Sequence, residues 1–180
     1  MLKSENIYLR LMEKRDVKYK VKWVNDPEVR RTLFLENISE IGTEHWLNKV
    51  VADNTRRDYV ICKNVNNIPI GFASIVNIDL WNSSAETYIC IGEKKYWGKG
   101  YGTEAKKLLL EYIFIQLGLN RAYAYNWAEN KGMININKKL GFTKEGVLRQ
   151  DRFADGEYKD RVIFSMLRDE FLEKYKERFK

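Results

Sequence analysis

The residues best suited to chemistry form one run, Lys95-Tyr96-Trp97-Gly98-Lys99-Gly100-Tyr101-Gly102-Thr103-Glu104-Ala105. Alternating glycines turn the backbone tightly and bare its N–H groups, with no Cβ in the way. An apolar, strand-like run precedes the segment and a helix-periodic one follows. Its amides therefore join the unpaired donors and the positive dipole end of a helix N-terminus. Such a loop is an anion cradle suited to a pyrophosphate. From the glycines alone, a plain connection without a ligand is the alternative. Spacing disposes of two phosphate-binding rivals. A nucleotide P-loop needs GxxxxGK and then Ser or Thr, but Gly100 follows Lys99; a dinucleotide fingerprint needs GxGxxG, but Gly98, Gly100 and Gly102 are spaced by two.

Other reactive residue types carry less. His45 stands alone beside Trp46 in a helical stretch and reads as a partly buried structural histidine. No serine lies in a nucleophile-elbow context. Cys62 and Cys90 sit in apolar runs and read as buried, reduced thiols; with no CxxC and a single His, a zinc site is not expected. The aromatics Trp23, Phe34, Trp46 and Trp81 read as core, with an acceptor pocket as the alternative.

The elements that must position the loop follow from periodicity. Ile7, Leu9 and Leu11 alternate with Tyr8, Arg10 and Met12 as a half-buried strand. A helix opened by Asp16 carries Val17, Val21 and Val24 and stops at Asn25-Asp26-Pro27. Thr43 caps a second helix bearing Trp46, Leu47 and Val50. Asp58–Lys63 and Pro69–Ile78 flank the turn signal Asn64-Val65-Asn66-Asn67 and form a hairpin. A loop from Asp79 to Ser84 leads to a strand from Ala85 to about Ile91. Past the glycines, Ala105, Leu108, Leu109, Tyr112, Ile113 and Gln116 trace one helix face, ended by Gly118 and Asn120. Arg121–Tyr125 is a short strand, and Asn130–Leu140 a helix closed by Gly141. Strands at about Thr143–Asp151 and Glu157–Leu167 flank the Asp155-Gly156 turn. Phe171, Leu172, Tyr175 and Phe179 share one side of a last helix. Strands and helices in this order give an α/β chain with a mixed sheet covered by helices, instead of a purely alternating doubly wound sheet.

Composition sets the outer limits. A chain of 180 residues fits one domain spanning residues 1–180, able to bury roughly two-thirds of its unfolded surface. The start has no apolar core of signal-peptide length, and apolar runs of about five residues fall far short of a bilayer span. The chain therefore reads as cytoplasmic, with no membrane partner. The net charge of +7 fits a nucleic acid, an anionic surface or a polyanionic small ligand. The basic residues are interspersed with Glu and Asp, and Lys18, Lys20 and Lys22 spread apart on a helix. This describes a solvated basic surface and disfavours a nucleic-acid partner.

Segment 85–105, AETYICIGEKKYWGKGYGTEA, resembles the acetyl-CoA signature of the GNAT superfamily of N-acetyltransferases. That family's loop reads Gln/Arg-x-x-Gly-x-Gly/Ala, and Lys95, Gly98 and Gly100 occupy those places. The form WGKGYGTEA is similar to the branch containing ribosomal-protein N-terminal acetyltransferases and spermidine acetyltransferases. Residues 130–146, NKGMININKKLGFTKEG, match that branch's Asn-led helix, and 149–170 resemble its closing hairpin. The resemblance covers nearly the whole chain, loosely at 25–57. It implies a central mixed sheet of about seven strands, flanked by about four helices plus a C-terminal helix.

It also implies a mechanism. The strand Thr87–Ile91 should splay from Arg121–Tyr125, leaving a slot for the pantetheine arm of acetyl-CoA against main-chain groups of Ile89, Ile91 and Gly92. The amides of Gly98, Lys99, Gly100, Tyr101, Gly102 and Thr103 would hold the pyrophosphate, with Lys95 and Trp97 also among the cofactor-binding residues. Asn130 matches the family's Asn on the pantetheine arm, and Lys139 would approach the cofactor's phosphate end. An N–H at about Ile91 would serve the oxyanion. Glu86, in the Ala-Glu pair that opens the central strand, is the candidate base; a solvated or salt-bridged carboxylate is the alternative. Many members carry a Tyr acid five residues before the Phe of GF, and here that position is Asn137. Asn donates hydrogen bonds but is no acid near neutral pH. Protonation of the thiolate would fall to water, to a tyrosine such as Tyr125, or to the incoming amine's own proton. The family's frequent Ser three residues after the Asn is Met133 here.

The acceptor would be a protein N-terminus, an amino sugar, a polyamine or another small primary amine, with the positive charge weighing slightly against a polyamine. A non-catalytic acyl-CoA sensor that kept the cradle is the alternative function. Exposed edge strands would allow a homodimer.

Overall fold

The computed structural model describes residues 1–178. Its strands are β1 (Leu2–Lys3), β2 (Ile7–Leu11), β3 (Arg57–Lys63), β4 (Pro69–Asp79), β5 (Ser84–Ile91), β6 (Arg121–Trp127), β7 (Thr143–Ala154) and β8 (Glu157–Leu167). Its α-helices are α1 (Val17–Asn25), α2 (Pro27–Arg30), α3 (Glu40–Val50), α4 (Tyr101–Glu111), α5 (Lys131–Leu140) and α6 (Arg168–Lys174). The strands make one sheet in the order β1-β2-β3-β4-β5-β6-β8-β7. Neighbours are antiparallel except β5 and β6, which run parallel because α4 carries the chain back between them.

The mixed sheet is as the sequence suggests, with a two-residue first strand and a one-turn α2 added. Pro27, read as a stop, is also a start: Asp26 caps α2 by accepting from the N–H groups of Glu28 and Val29, and Pro27 needs no donor at the first helical position. The cap of α3 is Ser39, whose Oγ accepts from Gly42 N at 3.0 Å, and not Thr43. Thr43 lies inside the helix, buried, with its hydroxyl donating to Ser39 O. The alternation of β2 breaks at its end, leaving Leu11 exposed and Met12 buried. Gln116 is exposed, because residues 112–116 widen into a π turn that rotates it off the apolar face. Phe179 lies outside the described residues.

The sheet's two faces bury separate cores. On one, Ile7, Ile61, Ile75, Ala85 and Ile89 pack with Leu108 and Leu109 of α4, with Ile113 of the π turn that follows it, and with Phe164 and Phe171. On the other, Val60, Cys62, Phe72 and Cys90 pack with Trp23 and Val24 of α1 and Leu47 of α3. Both cysteines are free and buried. No helix among the described residues is long and apolar enough to cross a membrane.

Candidate active site

The parallel pairing of β5 with β6 is short: Ser84 with Arg121, Ala85 with Ala122, and Glu86 with Tyr123. Beyond it, Thr87 still donates its hydroxyl to Tyr123 O at 3.1 Å, and then the strands part. β5 continues to Ile91 against β4 alone, and β6 continues to Trp127 against β8. The sheet thus opens in its middle, with an unpaired edge of β5 facing the gap.

At the wide end lies the glycine loop. Gly98 and Gly100 hold φ of +72° and +87°, a left-handed region that other residues enter only with strain, and nothing stands within 4 Å of where a Cβ would project. No main-chain N–H from Gly98 to Thr103 finds a protein acceptor among the described residues, and Gly100 offers α4 no side-chain cap. Donors are rarely left without partners in a folded chain, so an unpartnered row of them at a helix N-terminus suits an anion. Gly102 sits tightly against Ile136 and Ile89. The ammonium groups of Lys63, Lys95 and Lys99 all lie 5.0–5.8 Å from the ring centre of Tyr96, beside the loop. Lys63 arrives from β3 and was invisible to a reading along the chain. Trp97 donates its indole N–H to Ile91 O at 2.6 Å, pinning the loop to the end of β5. The residues present fit a nucleotide diphosphate.

Of the other expected cofactor contacts, Asn130 caps α5 by accepting from Met133 N, and its amide reaches Thr32 O. Lys139 is exposed on the last turn of α5.

Glu86 leaves the sheet on the face opposite α4, in register with Tyr88 and Cys90. Asn77 Nδ2 donates to its Oε2 at 2.9 Å. Asn77 does so from a β-bulge, where the β4–β5 register shifts and its φ is +51°. Burial pushes the Glu86 carboxyl up, against the opposing pull of Asn77, Arg161, Lys106 and Arg152. Glu86 and Asn77 lie in a cleft of about 910 Å³ walled by Phe34, Tyr125, Trp127, Arg30, Arg31, Arg152 and Arg161. Arg161 stacks on Tyr125 and Phe34 and pairs with Asp151. Of the aromatics weighed from sequence, Phe34 reaches the cleft, Trp23 is core and Trp81 is 94% exposed. His45 is exposed, not partly buried.

On the other face, Asn137 is fully buried, and it has a partner that the sequence reading missed. Lys106 of α4, 1% exposed, donates to Asn137 Oδ1 at 2.5 Å, and Asn137 Nδ2 donates to Asn126 Oδ1 of β6 at 2.6 Å. The Lys106 ammonium also lies 4.5 Å from the ring centre of Phe142. Burial pushes it down to about 7, opposed by the charge of Glu86. One signal was available: Gly102, Lys106, Leu109 and Ile113 share a helix face, so a lysine there points inward.

Residues 6–143 match the family model of the acetyltransferase (GNAT) domain. The chain is 31% identical over 175 residues to an uncharacterised N-acetyltransferase, p20, of Bacillus licheniformis, covering 94% of this chain and 97% of that one. It is 29% identical to the spermidine N(1)-acetyltransferase of Escherichia coli K12, covering 98% and 94%. Its fold superposes with a TM-score of 0.87 on the crystal structure of Vibrio cholerae spermidine N-acetyltransferase in complex with CoA and spermine, at 27% identity, covering 92% of this chain and 98% of that one. With an open V in a mixed sheet, a glycine loop of bare amides and a family match over most of its length, the chain belongs to the GNAT acetyltransferases and uses acetyl-CoA as its acetyl donor.

Proposed function

We propose that this acetyltransferase moves the acetyl group by direct attack of a primary amine that enters the cleft beside Glu86, on a small molecule carrying an anionic group. The gap between β5 and β6 carries this reading, because it joins the glycine loop to the cleft. When bound, acetyl-CoA supplies an acetyl group already activated as a thioester. The amides of Gly98 to Thr103 hold the diphosphate end, with Lys63, Lys95 and Lys99 neutralising charge nearby. The free edge of β5 from Thr87 to Ile91 takes the pantetheine arm as an added strand would, and a main-chain N–H near Ile91 serves the carbonyl oxygen. Glu86 takes the amine's proton, directly or through water. A carboxyl raised by burial is a better base for this than an ordinary one.

The acceptor class is supported by the cleft's charges. Arg30, Arg31, Arg152 and Arg161 meet Glu36, Glu86 and Asp155 along its wall. Asp151 pairs with Arg161 and Arg152, but Arg30 and Arg31 enter no ion pair among the described residues, and their positive charge attracts a carboxylate or phosphate and weighs against a polycation. The rival acceptor is a polyamine, which the names of the E. coli and V. cholerae relatives favour. Release of CoA thiol, followed across spermidine, spermine, amino acids, amino-sugar phosphates and short peptides, separates the two. Turnover greatest with an anionic amine supports the proposal, and spermidine as the best acceptor overturns it. The reduced, buried cysteines agree with work in the cytoplasm.

A further inference from the structure

We propose that Lys106, seated on Asn137 across the gap from Glu86, delivers the proton that the coenzyme A sulfur takes as it leaves. This rests on the transferase reading above.

The placement carries the argument. Lys106 belongs to α4, which packs on β5, and Asn126 belongs to β6, beyond the last β5–β6 pair at Tyr123. The chain Lys106–Asn137–Asn126 therefore bridges the opening on the helix side. Glu86 flanks the same opening on the cleft side, together with Tyr125 and Trp127. The two tyrosines of β6, Tyr123 and Tyr125, alternate away from Ala122, Ala124 and Asn126, so they face the amine's entrance and not the helix side. Asn137 stands where a tyrosine acid is expected from the family pattern, and the adjacent helix supplies the only group there with an acidic proton among the described residues. An ammonium has three donors, and Asn137 Oδ1 is the only hydrogen-bond acceptor Lys106 has among the described residues. Burying it this way is costly unless the charge has a use, since an apolar side chain would fill the same space without desolvation.

The step balances. The attacking nitrogen bonds to the acetyl carbon as the carbon–sulfur bond breaks, and that bond's electron pair stays on sulfur. The nitrogen's proton passes to the Glu86 carboxylate, and a Lys106 proton passes to sulfur. Proton exchange with water then resets the neutral lysine and the protonated glutamic acid. The two groups are tuned toward each other: burial pushes Glu86 up and Lys106 down to about 7. Among the described residues, Glu86 is the charged group whose field opposes the effect of burial on Lys106, and Asn137, Asn126 and Phe142 lie around it.

Wild-type protein carrying ε-13C lysine tests this by NMR without any variant. A lysine signal should titrate near 7 and move when coenzyme A is added. The buried Lys20, pushed down to about 8 and lying over Trp46, is identified by Lys20→Met and should not respond. In the binary complex, the coenzyme A thiol, followed by thiolate absorbance, should titrate lower in wild type than in Lys106→Met. Lys106→Met should also lower kcat roughly 100-fold, leave the KM for acetyl-CoA unchanged, and abolish the fall of kcat above about pH 7. Lys106→Met combined with Asn137→Tyr should restore turnover, with that fall moved toward the tyrosine range at about 10. A lysine signal blind to coenzyme A, or the same thiol titration in both proteins, overturns the lysine's role while leaving the transferase reading intact. Failure of wild type to bind coenzyme A overturns the transferase reading, and this inference with it.

Discussion

Replacing Glu86 by glutamine isolates the base. The new side-chain amide oxygen can still accept the Asn77 Nδ2 hydrogen bond of 2.9 Å, so the bulge and the strand register stay in place and stability should hardly change. What goes is the proton acceptor. General-base catalysis contributes about 10²–10⁴-fold, and the geometry sets which end applies. Glu86 opens onto a cleft of about 910 Å³ that admits water, and water can take over part of its task. The low end, about 10²-fold, is therefore expected, equivalent to ~2.7 kcal/mol of transition-state stabilisation. The loss should fall on kcat, since the carboxylate acts after the acetyl donor is seated. In wild type the acid limb of kcat should lie higher in pH than that of an ordinary glutamate, because burial raises this group; in the variant that limb should vanish. Asn77→Ala removes a stabiliser of the ionised form and should move the wild-type limb to higher pH. The assay is CoA thiol release against pH, with coenzyme A binding measured in parallel. An unchanged kcat in Glu86→Gln, with the acid limb intact, refutes Glu86 as the base.

Other outcomes follow from single contacts. In Gly100→Val, φ of +87° costs ~1–2 kcal/mol of strain, nothing in the protein clashes, and coenzyme A binding by calorimetry should be lost. Gly92→Ala puts a Cβ 2.1–2.5 Å from Trp23 ring carbons, so thermal unfolding should fall by several degrees, from an overpacking cost of about 1–3 kcal/mol. Glu145, held down to about 2 first by its hydrogen bond from Arg121, joins β7 to β6. Its folded pKa is depressed, so its contribution is present above the unfolded value and lost as pH falls toward 2. Glu145→Gln should flatten the acid limb of a denaturation profile there, and only modestly because the side chains of the pair are 30% and 36% exposed and solvent screens them.

Much of the frame was legible because local rules and global packing agree. The Asn64–Asn67 turn, the Asp155-Gly156 turn with both φ positive, and the Gly141 helix end at φ +95° all form where residue type demands. The cradle was legible for the same reason, since Gly98 and Gly100 adopt the conformations that only glycine takes freely. What escaped depends on contacts between distant segments. Asn77 reaches Glu86 through a bulge, a register shift that no pattern of apolar residues announces. Lys63 meets the loop only because β3 lies two strands away in the sheet from β5. Lys106 is by residue type a surface group on an amphipathic helix, yet α4 is covered on nearly all sides and buries it. Ser39 and Thr43 are both good caps by type, and the choice was made by where the preceding loop ends.

The main-chain amides of residues 98 to 103 are the centre of this account, and 15N-labelled protein titrated with coenzyme A observes them directly. The resonances of Gly98, Lys99, Gly100, Tyr101, Gly102 and Thr103 should shift most and at the lowest ligand ratios, in step with binding. Coenzyme A that binds while these resonances stay still, and others far from α4 move, would contradict it.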